Sequence, residues 1–309
     1  MPRIVYLTVG RPNVTGGQKT IVRHVEALLG LGYDARIAAA GGAQSSPLLR
    51  SLPQSFFVQA RRDDDIIVVP EDNPEVLRKV VDGKNRIVIF VQSHLYAAGF
   101  GLLHLPPAIL TRCHDIMTTS YSAGVAIASY LPDAAVSVVS ACADERAFFV
   151  EGDKEKCIAV TPMKREFEYK IIKRLFETLY RDQSEWSWRE LREAPEMAVA
   201  ATFKRSAIFL GLGRFESLGI TALEAMAAGC IVAGYAGNGT MEYATPVNGY
   251  WAVDDDCEAA ARALISAAEV FSKGGSEYLL RRESGLRTAQ HWTYDRSVYE
   301  LDQFWSKRA

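Results

Sequence analysis

Short runs of aliphatic and β-branched residues alternate with helix-period segments along the whole chain, and this alternation restricts the fold more than any other feature. Residues 4–9, 35–39, 66–69, 87–91, 116–119 and 136–139 read as strands. Between them lie amphipathic stretches such as 20–31, with Ile21, Val25, Leu28 and Leu29 on one stripe, and 74–81. Apolar strands that each lead into a crossover helix predict a parallel sheet buried on both faces, one doubly wound domain. The polar, turn-rich stretch from Glu151 to Lys156 marks a boundary, and a second alternation starts directly after it. Strand 157–161, helix 164–180, strand 207–210, helix 220–228 and strand 231–235 follow, and 256–271, 276–290 and 294–307 close the chain as three helices.

The expected architecture is therefore α/β, with two Rossmann-like domains at residues 1–150 and 151–290 and a closing helical segment at 291–309. In open α/β sheets, ligands sit beyond the carboxyl ends of the strands. Two such domains in tandem make the cleft between them the expected site.

Composition narrows the partners. The 309 residues suit two domains better than one, and the net charge is −2. It is evenly spread: residues 1–150 carry 14 Lys and Arg against 13 Asp and Glu, and the remainder 21 against 24. Neither half is basic, which argues against nucleic acid. The five cysteines form no CxxC pair and read as small core residues in a reducing compartment. No apolar run approaches the ~20 residues of a membrane helix, and strand-like sequence begins at Ile4. The expectation is a soluble cytoplasmic protein, with room left for peripheral contact at a membrane surface.

The stretch from Gly213 to Cys230 carries the chemistry. A strand ends near Leu210, a loop holds Glu216, and a helix begins around Gly219. Free backbone N–H groups at that helix start would face the loop, a ready site for phosphate or sugar oxygens. Glu224 lies further along the same helix, among Ala222, Leu223, Ala225 and Met226, where an acid is usually paired or functional. The plainer reading keeps Glu216 as an acid favoured by the helix macrodipole and Glu224 on a solvated face.

Two glutamates with seven residues between them, in Phe-Glu-Ser-Leu-Gly-Ile and Leu-Glu-Ala-Met-Ala-Ala-Gly, closely resemble the donor-site motif of family 4 glycosyltransferases (glycosyl transferases group 1). These are retaining enzymes of the GT-B fold. The resemblance continues through Gly237-Asn238-Gly239, Glu242, Asn248-Gly249-Tyr250 and His291-Trp292-Thr293-Tyr294, the start of a helix that in such enzymes packs back on the N-terminal domain. It implies that Glu224 binds the nucleotide ribose and that Glu216 contacts the donor sugar. Backbone amides of Leu218, Gly219 and Ile220 would help hold sugar and phosphate. The loop leading to Gly16 and Gly17 looks like the family's Gly-Gly loop, which faces the donor diphosphate; a ligand-free tight turn is the alternative.

Lys164 and Arg165 occupy the region where the family keeps an Arg and a Lys for the phosphates, although here they are adjacent and Thr161 stands in place of a more typical Gly. Lys170 is a further candidate cation. Asp63-Asp64-Asp65 and Asp254-Asp255-Asp256 read as solvated turns and helix starts, so no metal site is expected. His94 ends a strand, and the resemblance implies a place near the acceptor hydroxyl, where the family often has a polar or histidine residue; a structural histidine is an equal reading. His114 and His104 have weaker claims, and His24 and His291 read as scaffold.

The resemblance thus implies transfer of a sugar from a nucleotide diphosphate sugar, without metal or cofactor and with retention. The acceptor would be a saccharide, a lipid-linked or a small-molecule hydroxyl, in bacterial polysaccharide or glycoconjugate synthesis. The alternative is a nucleotide-sugar-binding protein without turnover that supports another transferase.

Overall fold

The computed structural model describes residues 2–9, 16–40, 46–60, 62–81, 83–113 and 115–309. The loop 10–15 that leads to Gly16, and His114, lie outside the described residues. Contacts divide the chain into two units, Met1–Ala141 with Asp295–Ala309, and Cys142–Tyr294.

Unit 1 runs β1 (Ile4–Val9), α1 (Gly16–Gly30), β2 (Ala35–Ala40), α2 (Pro47–Arg50), β3 (Ile66–Pro70) and α3 (Pro74–Val81). It continues through β4 (Arg86–Val91), α4 (His94–Gly99), α5 (Pro107–Leu110), β5 (Asp115–Thr118), α6 (Tyr121–Tyr130) and β6 (Ala135–Val138). All pairings are parallel, in the order β2-β1-β3-β4-β5-β6. The β-branched strands supply Ile67, Val69, Ile89, Val91 and Ile116 to a core completed by Leu77 and Val80 of α3 and Ile127 of α6.

Unit 2 runs β7 (Glu155–Val160), α7 (Glu166–Leu179), β8 (Ser187–Glu190), α8 (Glu196–Arg205), β9 (Ser206–Leu212) and α9 (Ile220–Ala227). Then come β10 (Ile231–Tyr235), α10 (Gly237–Thr240), β11 (Gly249–Ala252), α11 (Cys257–Lys273) and α12 (Gly275–Ala289). Its sheet is also parallel, in the order β11-β10-β9-β7-β8. Ile158, Val160, Ile208 and Leu210 pack against Ile172 and Phe176 of α7 and Leu264 of α11.

The last helix, α13 (Tyr294–Trp305), belongs to unit 1 from Asp295 onward. There the fully buried Trp305 indole donates to Tyr6 Oη at 3.4 Å, and the Tyr33 hydroxyl donates to Asp302 at 2.9 Å. Tyr6 also meets His24 Nδ1 at 3.2 Å, and burial pushes the His24 imidazole down to about 3, so it stays neutral.

Three expectations need correction. The helix expected at 164–180 starts later, because Pro162 opens a 3-10 turn over Pro162–Lys164 and Arg165 then stands at the N-cap of α7. Asp65 is no solvated turn residue: it is buried and accepts from Arg3 Nε and Nη2 at 2.9 and 2.8 Å. Burial raises its carboxyl, but Arg3 and the Arg62 amide hold it below the usual range. In the other triplet, Asp256 does cap α11 by accepting from the Ala259 amide, whereas Asp254 and Asp255 are both drawn to Arg165.

Candidate active site

Both sheets share the strand order 2-1-3-4-5, counted within each unit, with a sixth strand in unit 1. The topological switch point therefore falls between β1 and β3 in unit 1 and between β7 and β9 in unit 2. In unit 2 the segments leaving those two strands carry Lys164, Arg165 and Glu216. Lys164 Nζ donates to Glu216 Oε1 at 2.8 Å, across 52 residues of sequence. Just before Glu216, Phe215 takes φ 54°, a left-handed conformation that costs an ordinary residue roughly 1–2 kcal/mol.

The loop then returns to α9 through Gly219, whose φ is 76°. A Cβ there would lie 2.2 Å from Thr240 Oγ1 and 3.2 Å from Glu216 Oε2, so only glycine lets the Glu216 carboxylate and α10 close on the helix start. Gly219, the N-cap residue of α9, has no side chain with which to cap the first turn, which suits an anion site at a helix N-terminus. The Tyr243 hydroxyl donates to Gly219 O at 2.6 Å and braces the turn. Its phenol is pushed up by burial, with the charges of Glu216, Glu224 and Glu242 adding to the shift. Leu218, Gly219 and Ile220 thus sit beside the Lys164–Glu216 pair.

Glu224 is 2% exposed, between the fully buried Leu223 and Ala225, so it does not lie on a solvated face. Arg165 is 3% exposed, donates to Gly213 O at 3.2 Å and lies 4.7 Å from the Tyr235 ring centroid. Its guanidinium also meets Glu168 at 3.3 Å, Asp254 at 3.2 Å and Asp255. Burial works against that charge, and the carboxylates more than offset it. Lys170 stands on the exposed side of α7, 4.0 Å from Glu166.

In unit 1, α1 begins at Gly16. A Cβ on Gly16 would meet nothing within 4 Å among the described residues, whereas one on Gly17 would lie 2.1 Å from Gln92 Oε1. The close approach of Gln92 is a packing reason for glycine at position 17. His94 opens α4 behind Ser93, whose Oγ accepts from the Tyr96 amide at 3.4 Å. The His94 ring is half-buried, its Nδ1 has no partner among the described residues, and burial lowers its pKa.

Sequence reasoning missed Glu71, which directly follows β3 at the unit 1 switch point. It is 3% exposed and accepts from the Ser93 amide at 2.7 Å, and burial pushes its carboxyl up to about 8. The available signal was an acid placed immediately after the apolar strand Ile66–Pro70. The pairing of Arg165 with Asp254 and Asp255 had no such signal.

Two parallel α/β sheets, the second carrying two glutamates on a loop and helix beyond its switch point, define the class: α/β proteins whose structural relatives are GT-B glycosyltransferases. Residues 165–270 match the family model described as Glycosyl transferases group 1. Over 314 aligned residues the chain is 27% identical to an alpha-1,6-glucosyltransferase of Actinobacillus pleuropneumoniae serotype 7 (strain AP76), covering 92% of this chain and 88% of that one. Among solved structures it is similar to sucrose-phosphate synthase from Thermosynechococcus elongatus, with TM-score 0.70, 12% identity and 99% of each chain covered. It is also similar to Anabaena Alr3699/HepE in complex with UDP-glucose, with TM-score 0.68, 12% identity and 99% of each chain covered. At these identities the structural likeness is one of fold. The sequence matches support a glycosyltransferase.

Proposed function

We propose that the protein transfers a hexosyl group from a nucleoside diphosphate sugar to a saccharide hydroxyl, with retention of configuration and without a metal ion. The observation that carries this reading is the Lys164–Glu216 pair beside the glycine N-cap of α9, with Glu224 buried on that helix. Glu224 accepts hydrogen bonds from the ribose, and Glu216 contacts the donor sugar. Lys164, with the Leu218, Gly219 and Ile220 amides, receives the diphosphate. Arg165 reaches the diphosphate only by leaving Asp254 and Asp255; while paired with them it holds the β11–α11 connection in place.

In the reaction the bond from the anomeric carbon to the phosphate oxygen breaks as the acceptor oxygen approaches on the same face. The carbon becomes oxocarbenium-like, and negative charge grows on the leaving phosphate. Preorganised cations and amides stabilise that charge more than the ground state. The acceptor proton passes to the departing phosphate oxygen, so products are the glycoside and the nucleoside diphosphate. A cytoplasmic supply of nucleotide sugar suits this reading.

A relative named as an alpha-1,6-glucosyltransferase and a structural neighbour solved with UDP-glucose make UDP-glucose the first donor to test. The experiment is incubation with UDP-, GDP- and dTDP-sugars, with release of nucleoside diphosphate measured and the product's anomeric coupling constant read by proton NMR. Release of no nucleoside diphosphate from any donor defeats the transferase reading, and an inverted linkage defeats retention.

A further inference from the structure

Strand β11 is an edge of the unit 2 sheet and pairs only with β10 among the described residues. Its sequence, Gly-Tyr-Trp-Ala, puts two large aromatic residues on a strand edge, where side chains alternate between faces. Both rings are fixed from behind. The Trp251 indole N–H donates to Thr245 O and Asn248 Oδ1, each at 3.1 Å. The indole lies across Gly249, where a Cβ would stand 2.6 Å from the ring. The Tyr250 hydroxyl donates to Glu277 at 3.1 Å, and the Arg281 guanidinium carbon sits 4.2 Å from the Tyr250 ring centroid.

These two residues line an open cavity of about 470 Å³, with Met241, Thr245 and Pro246 among its other walls. Sites for small organic ligands run from roughly 300 to 1,000 Å³. The cation of the cavity is already engaged: Arg281 donates to Gly249 O at 3.1 Å and to Pro246 O, and lies 3.9 Å from Glu277. A phosphate or carboxylate would therefore find no free counter-charge there. A ligand with an apolar face and hydroxyls around its edge matches the fixed Trp251 indole bordered by backbone carbonyls. Rings locked before binding lose little conformational entropy on contact.

We infer that this cavity is a saccharide-binding subsite, taking a pyranose ring of an oligosaccharide against Trp251. It lies outside the donor loop but is joined to it. Met241 follows Thr240 of α10 directly, and a Cβ on Gly239 of the same helix would stand 2.6 Å from Leu218 N. A glycan held here is held on the unit that carries the Lys164–Glu216 pair. The choice of a saccharide rests on the transferase reading, and the binding itself is measurable without turnover.

The test uses the whole chain and isomaltotriose, an α-1,6-linked glucose trimer, observed by saturation-transfer NMR with the aromatic protons irradiated. Wild type and Trp251→Phe should transfer saturation to the sugar ring protons, while Trp251→Ala should lose most of it. Met241 is exposed, so Met241→Arg fills the mouth of the cavity without disturbing the core and should abolish the signal even if Trp251→Ala fails to fold. No transfer in wild type, or full transfer in Met241→Arg, overturns the subsite. UDP binding measured by calorimetry on the same samples separates the two readings: a protein that binds the trimer but no nucleotide keeps this subsite and loses the donor site.

Discussion

Lys164 Nζ and Glu216 Oε1 stand 2.8 Å apart, with the lysine side chain 48% exposed and the glutamate 22%. Ion pairs this open to water contribute about 0–1 kcal/mol. An arriving diphosphate can therefore take over the ammonium at little cost, freeing the carboxylate for the donor sugar. Lys164→Met should leave the melting temperature nearly unchanged and slow transfer by about 100-fold or more, since a hydrogen bond to charge is worth roughly 1.5–3 kcal/mol and grows as the phosphate leaves. A variant with wild-type kcat would remove Lys164 from the site.

The two glutamates should separate in kinetics and binding. Glu224→Gln keeps the shape of a buried residue but loses a charged acceptor, so nucleotide affinity should fall about 10-fold or more by calorimetry. Glu216→Gln should leave nucleotide affinity within about 2-fold while kcat falls, the pattern of an interaction strengthened in the transition state. Identical behaviour of both variants would contradict the proposed division of labour.

Arg165 bridges Asp254 and Asp255 while lying over Tyr235. Lysine cannot reproduce that planar, forked contact. Arg165→Lys should lower unfolding free energy by about 1–3 kcal/mol in urea titrations. UDP affinity should change little if the guanidinium stays with its carboxylates. A large loss of affinity with unchanged stability would place it on the phosphate instead.

Activity should persist in excess EDTA. The motivation is the Lys164 ammonium, which stands beside Glu216 and can meet the diphosphate's charge. Complete loss of activity, restored by Mn²⁺ or Mg²⁺, would replace Lys164 as the principal counter-charge.

Glu71 gives a pH-dependent stability of known sign. Its carboxyl is raised by burial from 4.5 to about 8 in the folded chain, so between those values the folded state holds a proton that the unfolded state has released. Its stabilising effect is full below 4.5 and is lost as pH rises through 8, by up to about 1.4 kcal/mol per pH unit. Glu71→Gln should flatten this part of the stability profile in thermal melts across pH 5–8. An unchanged slope would show that Glu71 ionises normally.

The amino-acid pattern by itself determined the alternation of strands and helices, because the periods of 2 and 3.6 are local properties of the backbone. Strand β1 and helix α9 were legible for that reason, as were Glu216 and Glu224, which lie within eight residues of each other on one loop and helix. The two strands that escaped, β8 and β11, are the edges of the second sheet; edge strands are short and half-wet, so their apolar pattern is weak. Only the tertiary structure decided the rest. Lys164 meets Glu216 because β7 and β9 are neighbours in the sheet, Arg165 finds Asp255 across 90 residues, and Glu71 reaches Ser93 because β3 lies beside β4. Those contacts follow from strand order, and strand order is chosen by the packing of the whole sheet, which no local period encodes.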